Sequence, residues 1–338
     1  MQRFSCQSGQ SLFFDSGQCI HCRACVRFDP NTLQMIQVSG TGDVLSDSVG
    51  NRFYACQNQI EYGNCNWLRP ASEGPGLCIA CQHNRTIPNL DYPDNLVRWS
   101  KLEQAKKRLI YTFRSLGLAL DPAELKFDFL EDGRTNPDAF GEEVHHTGYA
   151  NSVITINIAE ADDVVREAER RAVNEQYRTI LGHLRHESGH YFFHKIPATL
   201  VPQVSALYGD TNANYKTSLE QYYANGPSED WRDSYISAYA SAHPLEDWAE
   251  CWGHYLHMVD VLETAVSHEL LPTTLKTASF SEKISAWRQL SVTLNELNRS
   301  IGLDDAYPFL LGEVVTQKLE LVAEVIAALG NPEASATA

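Results

Sequence analysis

The 338 residues carry 27 Lys and Arg against 43 Asp and Glu, a formal charge of -16, with enough ordinary apolar content for two or three domains and a sizeable core. The acidity is uneven, because six Arg balance six Asp and Glu through Leu90, and such a surface argues against nucleic acid as a partner without a basic stripe. No run is long and apolar enough for a signal peptide or a membrane span, so a cytoplasmic protein with no membrane partner is expected.

Nine cysteines in a reducing compartment are better explained as metal ligands than as disulfides, and eight of them lie before residue 82. Residues 1–90 are rich in Cys, Gly, Asn and Gln, with short strand-like pieces at 12–15 and 52–55, so metal is expected to hold them. Cys19-Ile20-His21-Cys22 and Cys78-Ile79-Ala80-Cys81 are CxxC knuckles, the gap that lets both thiolates of a tight turn reach one tetrahedral ion. Cys56 and Cys65 complete the second set. Cys6, Cys19, Cys22 and Cys25 are the candidates for the first, a run that also resembles half of an iron-sulfur pattern. His21 and His83 stand nearby as substitutes or bystanders.

Residues 85–95, with Pro88 and Pro93, read as a linker. Leu102, Ala105, Leu109, Phe113 and Leu116 form a helical stripe that ends near Gly117. Residues 152–158 alternate, with Ile154, Ile156 and Ile158 on one face and Val153, Thr155 and Asn157 on the other, which predicts a strand at a sheet edge. A charged helix over 161–173 leads to a helix over 174–196 that contains His186-Glu187-Ser188-Gly189-His190. Residues four apart share a helical face, so His186 and His190 can offer two imidazoles to one metal ion with Glu187 beside them. A solvated histidine pair would also lie opposite the core stripe of Tyr177, Leu181, Leu184, Ser188 and Tyr191. Phe192 and Phe193 argue instead for a helix covered on several sides.

From 244 to 259, Trp248, Trp252, Tyr255, Leu256 and Val259 predict one helical face, and Glu246, Glu250, Gly253 and His257 the other. A catalytic zinc needs a third protein ligand, and Glu246 with Glu250 suits a ligand plus a carboxylate that supports a ligating histidine. Asp247 is the second choice. Cys251 reads as a packed thiol, and His243, His254 and His257 as spare candidates that are either structural or support a ligand from behind. Helices over 281–301 and 314–329 close the chain, and 331–338 is expected to be a disordered tail.

HExxH followed by a helix with Glu-x-x-x-Glu, and Tyr239 seven positions before Glu246, resembles the gluzincin peptidases, in particular the anthrax lethal-factor type. The whole chain resembles the zinc-binding metallopeptidases that carry an N-terminal zinc ribbon. The matching pieces are Cys65-Asn66-Trp67, Arg85-Thr86-Ile87-Pro88, the helix at 102–118, Ile154-Thr155-Ile156-Asn157, the HExxH, His243-Pro244-Leu245-Glu246-Asp247-Trp248-Ala249-Glu250 and residues 298–310. It departs in one place, since a Cys expected three residues after Cys6 is Gly9, and Cys25 is the candidate to replace it.

The resemblance implies an α+β fold, with a zinc-ribbon-like domain over 1–90 and a mainly helical zincin-like metallopeptidase domain with a small sheet over 91–330. It implies zinc on His186, His190 and Glu246, Glu187 as general base, Tyr239 as oxyanion donor and Glu250 supporting a ligand. Ile154, Thr155, Ile156 and Asn157 would bind extended peptide by strand addition, as zincin edge strands do. One catalytic and two structural zinc ions, acting on a peptide or protein substrate, complete this expectation. A zinc hydrolase of a non-peptide bond and a ribbon-mediated binding protein are the competing classes. The second should have lost a ligand or Glu187, and neither is lost.

Overall fold

The computed structural model describes residues 1–139, 147–172 and 177–330, so the expected tail at 331–338 lies outside the described residues. The fold is α+β, and the chain forms two compact units, Met1–Ser115 with Leu120–Arg166 and Leu116–Ala119 with Glu167–Ala338. No helix among the described residues is long and apolar enough to cross a membrane.

In the first unit, short antiparallel ladders pair Phe4–Ser5 with Ser11–Leu12 and Val26–Asp29 with Gln34–Gln37. A four-stranded meander runs Ser39–Thr41, Val44–Ser46, Arg52–Ala55, Leu68–Pro70. Metal is not the whole support of this region. Phe4, Phe14, Phe28 and Trp67 are buried together, with the Phe14 and Phe28 rings 4.9 Å apart and edge-on. Ile110 and Tyr111 of the helix Pro93–Ser115 complete the cluster, so apolar side chains from beyond residue 90 supply what the cysteine-rich segment lacks. The same helix buries Lys106 against Glu103 at 2.8 Å, and Glu103 also accepts from Trp99 Nε1 and from Asn84. A fully buried ion pair is tolerable only when such extra bonds satisfy it.

The remaining sheet of this unit is mixed, in the order Gly148–Ala150, Val153–Asn157, Lys126–Leu130, Asn84–Thr86. It corrects two expectations. The stretch at 85–95 is no linker, since Asn84–Thr86 is a strand parallel to Lys126–Leu130 and the long helix begins at Pro93. The strand carrying Ile154, Thr155, Ile156 and Asn157 is interior, flanked by Gly148–Ala150 on one side and Lys126–Leu130 on the other. Asn151 and Ser152 have φ of 50° and 63°, so a two-residue turn with both central residues left-handed closes a hairpin ahead of this strand. Ile154 and Ile156 are buried, and Asn157 caps a turn at Ala159 N and donates to Asp132 at 2.5 Å. Ile154 and Thr155 are thereby paired on both sides, so an added strand cannot take their backbone groups as the edge reading expected. Among the described residues the sheet's edges are Gly148–Ala150 and Asn84–Thr86.

The second unit is helical. Ile180–Phe193 and Pro244–Ser267 pack on each other, joined by Val201–Tyr208, Tyr215–Asn225, Phe280–Ser300 and Glu313–Gly330. The HExxH helix starts at Ile180, later than its periodicity predicts, because Thr179 is extended and accepts from Gly182 N at 3.0 Å as an N-cap. Trp248, Trp252 and Leu256 are buried as the stripe requires. Ser279 and Glu282 form a reciprocal capping box at the start of Phe280–Ser300.

Candidate metal centre

Two glycines let the helices Ile180–Phe193 and Pro244–Ser267 approach closely. A Cβ on Gly189 would stand 2.8 Å from Ala249 Cα, and one on Gly253 would stand 3.3 Å from His186 N. Trp248 Nε1 donates to Gly189 O and Trp252 Nε1 to Ser188 Oγ, each at 3.0 Å, which locks the rotation of one helix against the other. The Gly in HExGH is thus a packing requirement.

That crossing brings His186, His190 and Glu246 together, one donor atom of each lying within 4.8 Å of the others. His186 Nδ1 donates to Glu250 Oε1 at 2.7 Å, which leaves its Nε2 free for an ion, 3.0 Å from Glu246 Oε2. His190 Nε2 lies 3.5 Å from Glu246 Oε1. Burial pushes the His186 imidazole down, but bonds to the two carboxylates outweigh it and hold it well above its ordinary range. Burial likewise pushes Glu250 up, and the bond from His186 with that imidazole's charge brings it down to about 2. A site that binds a proton so firmly between acids is one a cation can take over. Two imidazole nitrogens and a carboxylate with room for water are the donor set of catalytic zinc, and the residues fit it.

Glu187 is buried beside His186 and outside the donor set, and its charge reaches the hydroxyls of Tyr215 and Tyr239. The Tyr239 ring is 6.0 Å from that of His186. Burial, then the Glu246 charge, raises the Tyr239 hydroxyl far above its usual range, so it stays protonated. Periodicity missed two residues here. Ser237 Oγ donates to Glu250 Oε2 at 2.6 Å, and Tyr215 OH donates to Glu246 Oε1 at 2.6 Å. Neither has a local sequence signal, because their partners are 13 and 31 positions away.

Asp247, the alternative third ligand, points elsewhere, pairing with Lys318 at 2.5 Å. His243 caps its helix by accepting from Leu245 N, and His254 Nδ1 meets Tyr307 OH at 2.9 Å. His257 lies among Tyr177, Trp287 and Tyr307.

Residues 95–325 match the family described as "Putative zinc-binding metallo-peptidase", and residues 3–92 match a zinc-ribbon domain. The chain belongs to this metallopeptidase family. It is similar to the uncharacterized protein Rv2568c of Mycobacterium tuberculosis and the uncharacterized protein Mb2598c of Mycobacterium bovis. Each is 35% identical over 343 positions, which cover 96% of this chain and 95% of the relative. No solved structure matches the chain significantly.

In the part of the chain that matches the zinc ribbon, Cys56, Cys65, Cys78 and Cys81 are all buried and converge. Cys65 Sγ lies 3.7 Å from Cys78 Sγ and 3.8 Å from Cys81 Sγ, and Cys78 N donates to Cys56 Sγ at 3.3 Å. Burial pushes the Cys78 thiol well up, and bonds with Cys56 and the other thiols do the same to Cys81. Four thiols so crowded cannot all ionise without a cation among them.

The first cluster holds Cys6, Cys19 and Cys22, with Cys6 Sγ 3.5 Å from Cys19 Sγ and 4.0 Å from Cys22 Sγ. Cys25 is not among them, which corrects the expected fourth ligand. Arg23 takes φ of 61° and its N–H bonds Cys19 O, so the chain turns sharply after the knuckle. Cys25 then pairs with Gln18, accepts from Val38 N, and packs on the Val38, Leu45 and Phe53 cluster. Gly9, at φ 78°, bonds Cys6 O in the turn where another thiolate was expected. His21 is exposed, and His83 is buried with Nδ1 on Leu125 O, away from both clusters.

Proposed function

We propose that this protein is a zinc-dependent endopeptidase of the gluzincin type, hydrolysing peptide bonds in a peptide or protein substrate. The observation that carries the reading is the convergence of His186, His190 and Glu246 with Glu187 beside them and Tyr239 across the site. Zinc, which His186, His190 and Glu246 would hold, would supply a Lewis acid to polarise the scissile carbonyl and acidify water. Glu187 takes the proton of the attacking water and returns it to the leaving amine. Tyr239, kept protonated by its surroundings, donates to the oxyanion as the carbonyl carbon becomes tetrahedral. Glu250, held by Ser237, fixes the His186 tautomer so that Nε2 faces the ion. Cleavage of a diverse quenched-peptide library by the zinc-loaded protein tests the reaction class. A protein that carries zinc on this site and cleaves no member would point to a different bond.

The same proposal includes two structural zinc ions, one on Cys56, Cys65, Cys78 and Cys81 and one on Cys6, Cys19 and Cys22. Cys25→Ser is therefore expected to keep all bound zinc, whereas Cys19→Ser loses one equivalent, as counted by elemental analysis. Loss of zinc from Cys25→Ser would mean that the segment rearranges to bring Cys25 onto the ion.

A further inference from the structure

Tyr215 opens the helix Tyr215–Asn225 and is 41% exposed as a residue, yet its hydroxyl reaches the carboxylate of Glu246, a residue 1% exposed, at 2.6 Å. The bond falls on Oε1, which also lies 3.5 Å from His190 Nε2, while Oε2 faces His186 Nε2. We propose that Tyr215 is a positioning residue that orients Glu246 toward the metal, and that His243 holds Tyr215 in place. This rests on the reading that His186, His190 and Glu246 bind zinc.

A carboxylate has more acceptor sites than one metal bond uses, and it turns freely about its last torsion unless a donor holds it. Glu246 is too buried for bulk water to be that donor, and Tyr215 meets the need from the solvent side. A phenol keeps its proton at neutral pH, so the Tyr215 hydroxyl at 2.6 Å can serve as that donor.

No residue of Tyr215–Asn225 is fully buried, and its packing includes Tyr222 edge-on to Tyr239 at 5.9 Å. At the start of the helix, next to Tyr215, the tie is His243. Its Nδ1 accepts from Leu245 N at 3.1 Å, which leaves the ring proton on Nε2 to donate to Ala213 O, also at 3.1 Å. Its ring meets that of Tyr215 edge-on at 5.1 Å. One imidazole thus fastens the first turn of the helix that carries Glu246 to the residues that lead into Tyr215. Asn214, between Ala213 and Tyr215, caps the second helix through Thr217 N at 3.0 Å.

The test is zinc affinity of the full-length protein, measured by competition with a chromophoric chelator, with thermal melting to check the fold. Tyr215→Phe is expected to weaken zinc about 10- to 100-fold at the one site that Glu246→Ala empties, leaving the cysteine-held zinc unchanged. His243→Asn keeps a helix-capping acceptor but cannot reach Ala213, and it should weaken the same zinc. Since His243 acts through Tyr215, that loss should vanish when Tyr215 is already Phe. Wild-type affinity in Tyr215→Phe, or a full extra loss in the double variant, would overturn the assignment. Should the wild-type protein hold no zinc that Glu246→Ala removes, the metal reading itself fails and takes the assignment with it.

Discussion

Asp247→Ala is expected to lower stability by about 3–5 kcal/mol while leaving zinc content unchanged. Asp247 is fully buried and Lys318 is 2% exposed, and the two meet at 2.5 Å. Lys318 Nζ also donates to Ser234 O at 2.7 Å and stands 4.4 Å from the Tyr235 ring centroid. Burial pushes the Asp247 carboxyl up to about 6 against the pull of Lys318, so desolvation has consumed most of what the pair gains. Removing one partner is a different matter, since it strands an ammonium in the core with a single carbonyl and aromatic faces around it. Replacing both, as Asp247→Leu with Lys318→Met, should therefore recover most of the loss. Denaturant unfolding of the two variants beside wild type measures this, with zinc counted in each. Zinc lost from Asp247→Ala without loss of fold would move the third ligand from Glu246 to Asp247.

Glu187→Gln is expected to lower kcat/KM on any cleaved peptide by about 100- to 10,000-fold with the zinc of the site retained. Glutamine has the shape of glutamate and cannot accept the proton of the attacking water. Glu187 stands outside the His186, His190 and Glu246 set, so its replacement removes no ligand. Its charge adds to the rise of the Tyr215 and Tyr239 hydroxyls. Kinetics on the best library peptide, paired with metal analysis of the same sample, decides the matter. Equal loss of zinc would make Glu187 a ligand, and undiminished turnover would remove it from the chemistry.

Helical periodicity makes the candidate metal donors legible in the sequence. His186 with His190, and Glu246 with Glu250, are each four apart, and an α-helix places such pairs on one face whatever surrounds it. The two-residue gap of each CxxC acts through the same local geometry, and the tryptophan stripe at 248 and 252 follows from it too. The strand at 153–157 is also readable as a strand. Its position in the sheet is not, because that depends on a hairpin closed by Asn151 and Ser152 with left-handed backbone, a turn more often marked by glycine. Cys25 has the spacing of a further knuckle, but Arg23 in a left-handed turn directs it to apolar neighbours instead.

Glu246 and Asp247 show where local reading stops. They are adjacent in one helical turn, equal in charge and similar in chemistry, and the spacing to Glu250 only ranks Glu246 ahead of Asp247. The packing separates them: His186 and His190, some sixty positions earlier, meet Glu246, while Lys318, 71 positions later, takes Asp247. Tyr215 and Ser237 entered the site by the same route. Residue type and periodicity determined what this chain could donate and from which faces, since those are properties of a few consecutive residues. Which carboxylate joins the histidine pair, which thiol is left out of the cysteine cluster and which hydroxyls meet the two glutamates were decided only when distant segments competed for the same neighbours in a dry interior, where an unpartnered charge is too costly to persist.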